Sequence, residues 1–378
     1  MINGASGLVS GFDPALALRL NPLRSDDRIE IALDKIGEPR SRKLVEVGLF
    51  LSPIDARFYS LLGVFAEQDG DRRTASNFYR HSLRLLPTEL QALSRELAFD
   101  IEAERYISAS EKLEILGRRW PDRWNQIEPI LPILLSDSVA YEWLMRRFGD
   151  NTRLRSQLIR SIAREAETLP FAYRLVVDWF GRNEPDLDSA INLVTAAYLH
   201  NKQYAEAYLL FQLTRPEDAR SGFVYNESFS MPFSGNPFDW RIQEQPGVSF
   251  DRITRNGKTA LSLKFLDNPI QFQNLGQYVR LVPGPYVLKV SYEAQELAMP
   301  EPIRLAMRCL PSDSLVLSEP FKEGTGDHNE SFSIIVPATD CALQEIFLYN
   351  DKLPLSWRNR YRGMLMLKSV SIRRTEAM

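Results

Sequence analysis

The segment Ser234–Ile242, SGNPFDWRI, lies where the chain changes from one hydrophobic period to another. Upstream of it, apolar residues recur every three to four positions, which is typical of amphipathic helices. Downstream they alternate with polar residues, which is typical of half-buried strands. In the segment itself Phe238 and Trp240 alternate behind a Gly-Asn-Pro turn. We interpret this pair as the first core corner of a β-domain with both rings pointing inward; an exposed platform for a ligand is the alternative for Trp240.

Three downstream segments have a clear period of two: TALSLKF (259–265), YVLKVSY (286–292) and SFSIIVP (331–337). Further strands are predicted near 271–282, 302–310, 343–350 and 364–374, separated by turns rich in Gly and Pro. About eight short strands with no helix between them predict an antiparallel β-sandwich.

The helical part contains a repeat. Pro53, Pro87 and Pro121 are evenly spaced, and each follows an amphipathic run: KLVEVGLFLSP, FYRHSLRLLP and EKLEILGRRWP. Proline ends such runs because it cannot donate its amide. The period of these prolines, about 34 residues, resembles that of tetratricopeptide repeats.

The repeat unit that ends at Pro87 fits this pattern best. Small residues, Gly63 and Ala75, allow two antiparallel helices to approach closely, and the larger Leu62 and Tyr79 fill the space toward the next pair. The resemblance covers roughly residues 13–215, so we predict an α-solenoid domain over residues 1–221. Solenoids of this kind present a concave groove that usually binds a peptide or a protein; a supporting role for the second domain is the alternative.

The overall composition excludes several classes of protein. The 378 residues carry 46 basic and 49 acidic side chains, for a net charge of −3, and their mean hydropathy is −0.26. Nucleic-acid-binding proteins usually have an excess of basic residues, which this chain lacks. No apolar run reaches the ~20 residues of a membrane-spanning helix, and the first residues, MINGASGLVSGFD, lack the pattern of a signal peptide.

No catalytic or metal-binding motif is present. The sequence has no phosphate-binding glycine loop, no GxSxG and no HExxH. His81, His200 and His328 are far apart, and the two cysteines do not have zinc-site spacing. We therefore predict a protein that is not an enzyme and that has no cofactor and no metal.

The strand-rich part resembles a known family in the order of its features. VYNESF opens it, PFDWRI and TALSLKF follow, and the hairpin GQYVRLVPGPYVLKVSY and the closing GMLMLKSVSI complete it. This order resembles jelly-roll carbohydrate-binding modules of the galactose-binding-like fold, which we predict for residues 222–378. The pairing with a helical repeat is similar to a group of bacterial exopolysaccharide-associated proteins, typically with an N-terminal membrane anchor.

This second resemblance implies a function and a location. We expect a non-catalytic accessory protein of exopolysaccharide biosynthesis or export, periplasmic and anchored by a segment absent from this chain. Its repeats would dock a membrane-associated protein of the polysaccharide assembly machinery, and its sandwich would meet the polysaccharide. The alternatives are a protein–protein scaffold whose sandwich has no sugar site, and a cytoplasmic location.

The resemblance also bears on the cysteines and on calcium. Cys309 and Cys341 both fall in stretches that match the exopolysaccharide-associated group, which favours a disulfide over two separate buried thiols. Many jelly-roll modules hold a calcium ion near the start of the domain, where this chain has Asn226 and Glu227. The last strand offers Lys368 in place of an acidic ligand, so we predict no calcium there.

Sugar binding requires exposed aromatic faces that stack on the ring, with amides and guanidinium groups for the hydroxyls. Trp357 lies in the polar loop LSWRNRYRG, where anchoring of the loop onto the sandwich is the alternative role. The full set of candidates is Trp240, Arg241, Phe272, Gln273, Gln277, Tyr278, Trp357, Arg358 and Tyr361.

Overall fold

The computed structural model describes residues 10, 13–215, 222–255, 257–273, 275–351, 353–354, 356 and 358–375. Contacts divide the chain into two compact units, one ending at Arg155 and the other beginning at Ser156. The predicted boundary at residue 221 falls among residues that the structure does not describe, so it stays a prediction.

The described residues up to 215 form helices, as the hydrophobic period predicts. In chain order they are α1 (Pro14–Leu20), α2 (Ser25–Asp34), α3 (Pro39–Leu51), α4 (Ala56–Gln68), α5 (Arg72–Leu85), α6 (Leu90–Glu102), α7 (Tyr106–Arg119), α8 (Leu131–Ser136), α9 (Ser138–Gly149), α10 (Thr152–Ile162), α11 (Leu169–Gly181), α12 (Asp188–His200) and α13 (Tyr204–Thr214), with short 3₁₀ helices at Pro121–Gln126 and Glu128–Ile130.

The bounds of the helices recur with the period of the prolines. Helix α4 spans 56–68 and α6 spans 90–102, while α5 spans 72–85 and α7 spans 106–119, so all four bounds shift by the spacing of Pro53 and Pro87. The ends of α2 and α3, at Asp34 and Leu51, lie one such period before the ends of α4 and α5. The repeat is therefore a repeat of helix pairs. Stacking of these pairs into a tetratricopeptide-type solenoid stays a prediction.

Gly63 explains the close packing within the α4–α5 pair. A Cβ atom at this position would lie 2.5 Å from Cε1 of Tyr79, whose side chain is fully buried. Ala75 is also fully buried, and the Ser82 hydroxyl donates a 2.8 Å hydrogen bond to the carbonyl of Ala56. The helices are therefore in contact through small residues, as the sequence predicts.

Replacing Gly63 with alanine is expected to destabilise the helical part by about 1–3 kcal/mol, because the added methyl group would overlap the fully buried ring of Tyr79. Gly181→Ala is the matched control, since a Cβ at the end of α11 meets nothing within 4 Å. Urea denaturation followed by the helical circular-dichroism signal measures the difference. Equal midpoints for the two variants would contradict the packing described here.

The strands form two antiparallel five-stranded sheets. In chain order they are β1 (Arg241–Ile242), β2 (Val248–Arg255), β3 (Lys258–Asn268), β4 (Leu275–Val279), β5 (Gly284–Ala298), β6 (Arg304–Pro311), β7 (Leu315–Pro320), β8 (Gly324–Val336), β9 (Cys341–Tyr349) and β10 (Tyr361–Arg374). The first sheet has the order β1-β4-β9-β6-β7 and the second has β2-β3-β10-β5-β8. One buried cluster holds apolar residues of both sheets, so helices followed by a β-sandwich are confirmed. Strands β1, β2 and β7 are additions to the predicted set.

The two aromatic rings of the segment SGNPFDWRI pack against different parts of the protein. Trp240 is 1% exposed, belongs to the sandwich core and donates a 3.2 Å hydrogen bond from Nε1 to the carbonyl of Asn226. Phe238 is also buried, but it packs against Phe211 of α13 instead, with ring centroids 5.3 Å apart. The prediction is right for Trp240 and wrong for Phe238, because residues 237–239 form a turn in which strand alternation does not apply.

The helix pair α12–α13 belongs to the same compact unit as the sandwich. The side-chain amide of Asn192 donates a 2.8 Å hydrogen bond to the carbonyl of Ser234 and accepts one of 2.9 Å from Asn236. Phe211 contacts the ring of Tyr225 as well as Phe238. Because these helices hold the segment that leads into β1, binding by the sandwich is best measured on the full chain.

The predicted disulfide is confirmed between Cys309 of β6 and Cys341 of β9, whose Cα atoms lie 4.6 Å apart. These strands are neighbours in the first sheet. The covalent link therefore connects two strands that carry the site described next.

Candidate functional site

The outer face of the first sheet gathers aromatic and arginine side chains. Strand alternation turns Leu275, Met307 and Ile346 into the core, so their neighbours along each strand face outward. The central outward row, from β1 to β7, is Arg241, Gly276, Phe347, Ala306 and Ser318. The flanking rows are Tyr278, Glu345 and Arg308 on one side, and Tyr349, Arg304 and Pro320 on the other.

An aromatic line crosses this face from β4 to β9 through Tyr278, Phe347 and Tyr349. The rings of Phe347 and Tyr349 lie 5.5 Å apart, and the two tyrosines are half-buried. Phe347 is 7% exposed and stands between the small residues Gly276 and Ala306 in its row. Small neighbours leave a depression beside the phenylalanine ring.

Two arginines share the carboxylate of Glu345 beside this line. Arg241 forms an ion pair with one oxygen, and Arg308 donates to the other from Nη2 at 2.6 Å. Burial is the largest single influence on Arg308 and opposes its charge, but the hydrogen bond to Glu345 and the charges of Glu345 and Asp313 together outweigh it and raise the pKa of Arg308 above its ordinary value. The Cζ atoms lie 4.1 Å from the Tyr278 centroid for Arg241 and 4.8 Å from the Phe347 centroid for Arg308. Both guanidinium groups are thus held in place on aromatic faces.

These side chains surround a cleft of about 310 Å³. Its lining consists of Arg241, Gln243, Gln273, Leu275, Gly276, Arg308, Glu345 and Phe347. The volume lies at the lower end of the range for small-ligand sites. An apolar ring surrounded by oriented guanidinium and amide groups suits a ligand that has one flat apolar face and many hydroxyl groups.

The outer face of the second sheet differs in chemistry. Its central rows carry mainly serine, lysine and acidic side chains around Met364 and Met366. Lys368, for example, forms ion pairs with Glu293 and Asp327 on this face. Of the two outer faces, as far as the structure describes them, that of the first sheet combines aromatic rings with arginines.

Three of the predicted sugar contacts come together at the cleft. Arg241 and Gln273 line it, and Tyr278 supports the Arg241 guanidinium. Arg358 is exposed and lines a different cavity, of about 750 Å³, together with Arg360 and Asp267. Trp357 lies outside the described residues.

Four of the candidate contacts belong to the core. For Trp240 this is the favoured interpretation, and for Phe272, Gln277 and Tyr361 it corrects their prediction as ligand groups. Trp240 is 1% exposed, and Phe272 and Tyr361 are fully buried, so their ring faces are covered by other side chains. The amide of Gln277 is buried too, and it pairs with the backbone N–H and carbonyl of Tyr225. Tyr361 uses its hydroxyl internally, accepting a hydrogen bond from Asn350 and donating one to the carbonyl of Glu301.

The sequence reasoning missed six residues of this face and its cleft: Gln243, Arg304, Arg308, Glu345, Phe347 and Tyr349. A signal existed for β9, because alternation in QEIFLY places Glu345, Phe347 and Tyr349 on one side of the strand and Ile346 and Leu348 on the other. Which side faces the core depends on the opposite sheet, so alternation alone did not select it.

The region expected to hold calcium in related folds has other partners. The carboxylate of Glu227 accepts a 3.0 Å hydrogen bond from Arg373, and the amide of Asn226 pairs with the backbone of Met231. In the ranges that the structure describes, no three His, Cys, Asp or Glu side chains are grouped so that they could hold a metal ion. The predicted absence of calcium stays a prediction.

Among the helices described above, none is both long and apolar enough to cross a membrane.

No protein-family model matches this chain, and no curated protein matches it. Solved structures of carbohydrate-binding modules match the C-terminal β-sandwich. A CBM4 module is 14% identical, with 40% of this chain and 99% of that chain covered and a TM-score of 0.32. The module TmCBM61, solved with β-1,4-galactotriose, is 16% identical over 41% and 99%, with a TM-score of 0.28. The CBM22-1 xylan-binding domain of Paenibacillus barcinonensis Xyn10C is 10% identical over 40% and 94%, with a TM-score of 0.27. At these values we draw no function from the similarity.

Proposed function

We propose that this protein is a non-catalytic accessory protein of bacterial exopolysaccharide assembly or export, and that its sandwich binds a glycan in the cleft on the first sheet. The observation that carries the glycan proposal is the row of aromatic rings on this face, flanked by Arg241 and Arg308.

The ion pairs with Glu345 prepare the cleft for binding. Each arginine is held by the shared carboxylate and by an aromatic ring, so little side-chain entropy is lost when a ligand arrives. The remaining guanidinium N–H groups supply donors for hydroxyl groups, and Gln243 and Gln273 lie beside them in the lining of the cleft. Phe347 supplies the apolar surface between them.

A binding role fits this cleft better than hydrolysis. Glycosidases typically use two carboxyl groups that flank the bond to be cleaved. Glu345 is the one carboxylate among the described residues that line the cleft, and it is neutralised by two arginines. We therefore propose that the site holds the glycan without cleaving it.

The location and the partner are further parts of the proposal. The disulfide between Cys309 and Cys341 supports an oxidising compartment, for which we propose the periplasm. We propose that a segment outside this chain anchors the protein to the membrane. The periodic helix pairs support a solenoid groove, in which we propose that a membrane-associated protein of the assembly machinery docks.

Replacing Phe347 with leucine is expected to weaken glycan binding by the full-length protein at least tenfold, about 1.4 kcal/mol. Leucine keeps the apolar volume but removes the ring against which the Arg308 guanidinium lies, so that this arginine is no longer held in place beside the cleft. Isothermal titration calorimetry with the exopolysaccharide of the producing organism, cut to short oligomers, measures the change. Phe332→Leu, a half-buried phenylalanine of β8 in the other sheet, is the control and is expected to bind as the parent protein does.

Two results would contradict the proposal. Equal affinities for the parent and Phe347→Leu, with both folded, would place glycan recognition elsewhere. The absence of binding by the parent protein to any glycan would favour the scaffold interpretation, in which both domains bind proteins.

A further inference from the structure

The outer face of the first sheet carries more positive than negative charge. Its rows contain three arginines, Arg241, Arg304 and Arg308. Among the described residues two carboxylates oppose them: Glu345, shared by Arg241 and Arg308, and Asp313, which lies 2.9 Å from Nη1 of Arg308. Arg241 and Arg308 are therefore compensated, and the excess charge rests on Arg304.

Arg304 has no counter-charge in the part of the chain that the structure describes. It forms no ion pair there, and its Nε atom is buried without a hydrogen-bond partner. The side chain as a whole is half-buried. Removing a guanidinium group from water costs free energy that an anion can offset, so an uncompensated arginine in a half-buried position suits an anionic ligand.

The position of Arg304 connects it to the cleft. In the sheet it stands opposite Tyr349 on one side and Pro320 on the other. Ala306, two residues along β6, is the neighbour of Phe347, and two residues of a strand span about 7 Å. Tyr349 also contacts the ring of Phe347. A sugar that lies over the half-buried ring of Tyr349, beside the cleft, thus places a substituent of the same or the next ring within reach of Arg304.

Resting on the glycan site proposed above, we infer that the ligand is an acidic polysaccharide whose uronate carboxylate pairs with Arg304. The planar guanidinium fork matches a carboxylate with two parallel hydrogen bonds, an arrangement that no hydroxyl group reproduces. Arg241 and Arg308, already paired with Glu345, donate hydrogen bonds to the neutral hydroxyl groups. Arg304 pairs with the carboxylate and so favours a charged ligand over a neutral one.

The test compares acidic oligosaccharides with their own methyl esters on the full-length protein. Hexamers of galacturonate, mannuronate, guluronate and glucuronate are titrated in calorimetry beside their esters, which keep the ring but lose the charge. Cello-, xylo-, manno- and galacto-hexaose are the neutral probes. For at least one backbone we expect the acid to bind about tenfold or more tightly than its ester, because a charge-assisted pair is lost on esterification. Added salt should lower the affinity for the acid and leave the affinity for the ester unchanged.

Arg304→Gln is expected to reduce the affinity for the acid to that for the ester without changing the affinity for the ester. The matched control is Arg255→Gln, which replaces an exposed arginine at the end of β2 in the other sheet. This variant should keep the parent's ratio of acid affinity to ester affinity. Thermal denaturation of both variants establishes that they are folded.

The outcomes separate the two proposals. Equal binding of acid and ester, or binding of neutral hexamers alone, overturns the acidic ligand and leaves the glycan site in place. If Arg304→Gln keeps the parent's ratio of acid affinity to ester affinity, Arg304 is not the residue that pairs with the carboxylate. Binding of none of the probes, acidic or neutral, overturns the acidic ligand, and failure with the organism's own polysaccharide as well overturns the glycan site.

Discussion

Replacing Trp240 with alanine is expected to lower the free energy of unfolding of the sandwich by about 3–5 kcal/mol. The indole is 1% exposed, packs 5.2 Å from the ring of Phe229 and satisfies the carbonyl of Asn226. Its removal leaves a cavity and deletes one of the two hydrogen bonds to the Asn226 carbonyl, which keeps the 3.0 Å bond from the backbone N–H of Phe229. Glycan binding should weaken too, because Arg241 is the next residue and depends on the same corner for its position.

Hydrogen–deuterium exchange of peptides from β3, β5 and β10 measures this loss, because it follows the sandwich separately from the first helices. Trp143→Ala is the control: this tryptophan is half-buried on α9, so its loss should leave sandwich exchange unchanged. Parent-like exchange in Trp240→Ala would show that the corner does not hold the sandwich together.

Removing the disulfide by the double substitution Cys309→Ala and Cys341→Ala is expected to cost about 3–4 kcal/mol of sandwich stability. The bond closes a loop with a sequence separation of 32 residues, and the chain-entropy model gives this magnitude for such a loop. Binding should be affected as well, since β6 carries Arg304 and Arg308 and β9 carries Glu345 and Phe347.

Urea denaturation with and without dithiothreitol measures the contribution of the bond. The reductant should lower the urea midpoint of the parent protein and leave the midpoint of the double variant unchanged. The double variant thus controls for effects of the reductant other than breaking the disulfide. A parent midpoint that does not respond to complete reduction, confirmed by titration of two free thiols, would contradict a stabilising disulfide. Two free thiols in the parent protein before any reductant is added would remove the main support for a periplasmic location.

Local periodicity was enough to predict helices followed by an antiparallel β-sandwich. The even spacing of Pro53, Pro87 and Pro121 anticipated helix pairs whose bounds recur with the same period, and the alternation in TALSLKF and YVLKVSY anticipated β3 and β5. Each of these features depends on residues close in sequence, which choose helix or strand from the same local pattern. Strand β7 was missed because its segment, LVLSEP, is short and lies in a sheet edge where alternation is weak.

The glycan site was only partly predictable. Arg241, Gln273 and Tyr278 were selected because their residue types suit a sugar, and so were Trp240, Phe272 and Tyr361, which the core uses instead. An aromatic residue serves either purpose equally well by type. The choice between them is made by the opposite sheet, whose residues come from distant parts of the chain.

The sequence by itself determined the order of the two kinds of structure, the helical period, the strand segments and the pairing expected of the cysteines, because these follow from local pattern or from a stated resemblance. Only the tertiary structure decided that Arg241, Arg308 and Glu345 meet, that Phe347 lies between two small residues and that Arg304 remains without a counter-charge among the described residues. Arg241 and Glu345 are far apart in sequence and come together through the strand order β1-β4-β9-β6-β7. Such an order is set by the burial of one common core, a property of the whole domain.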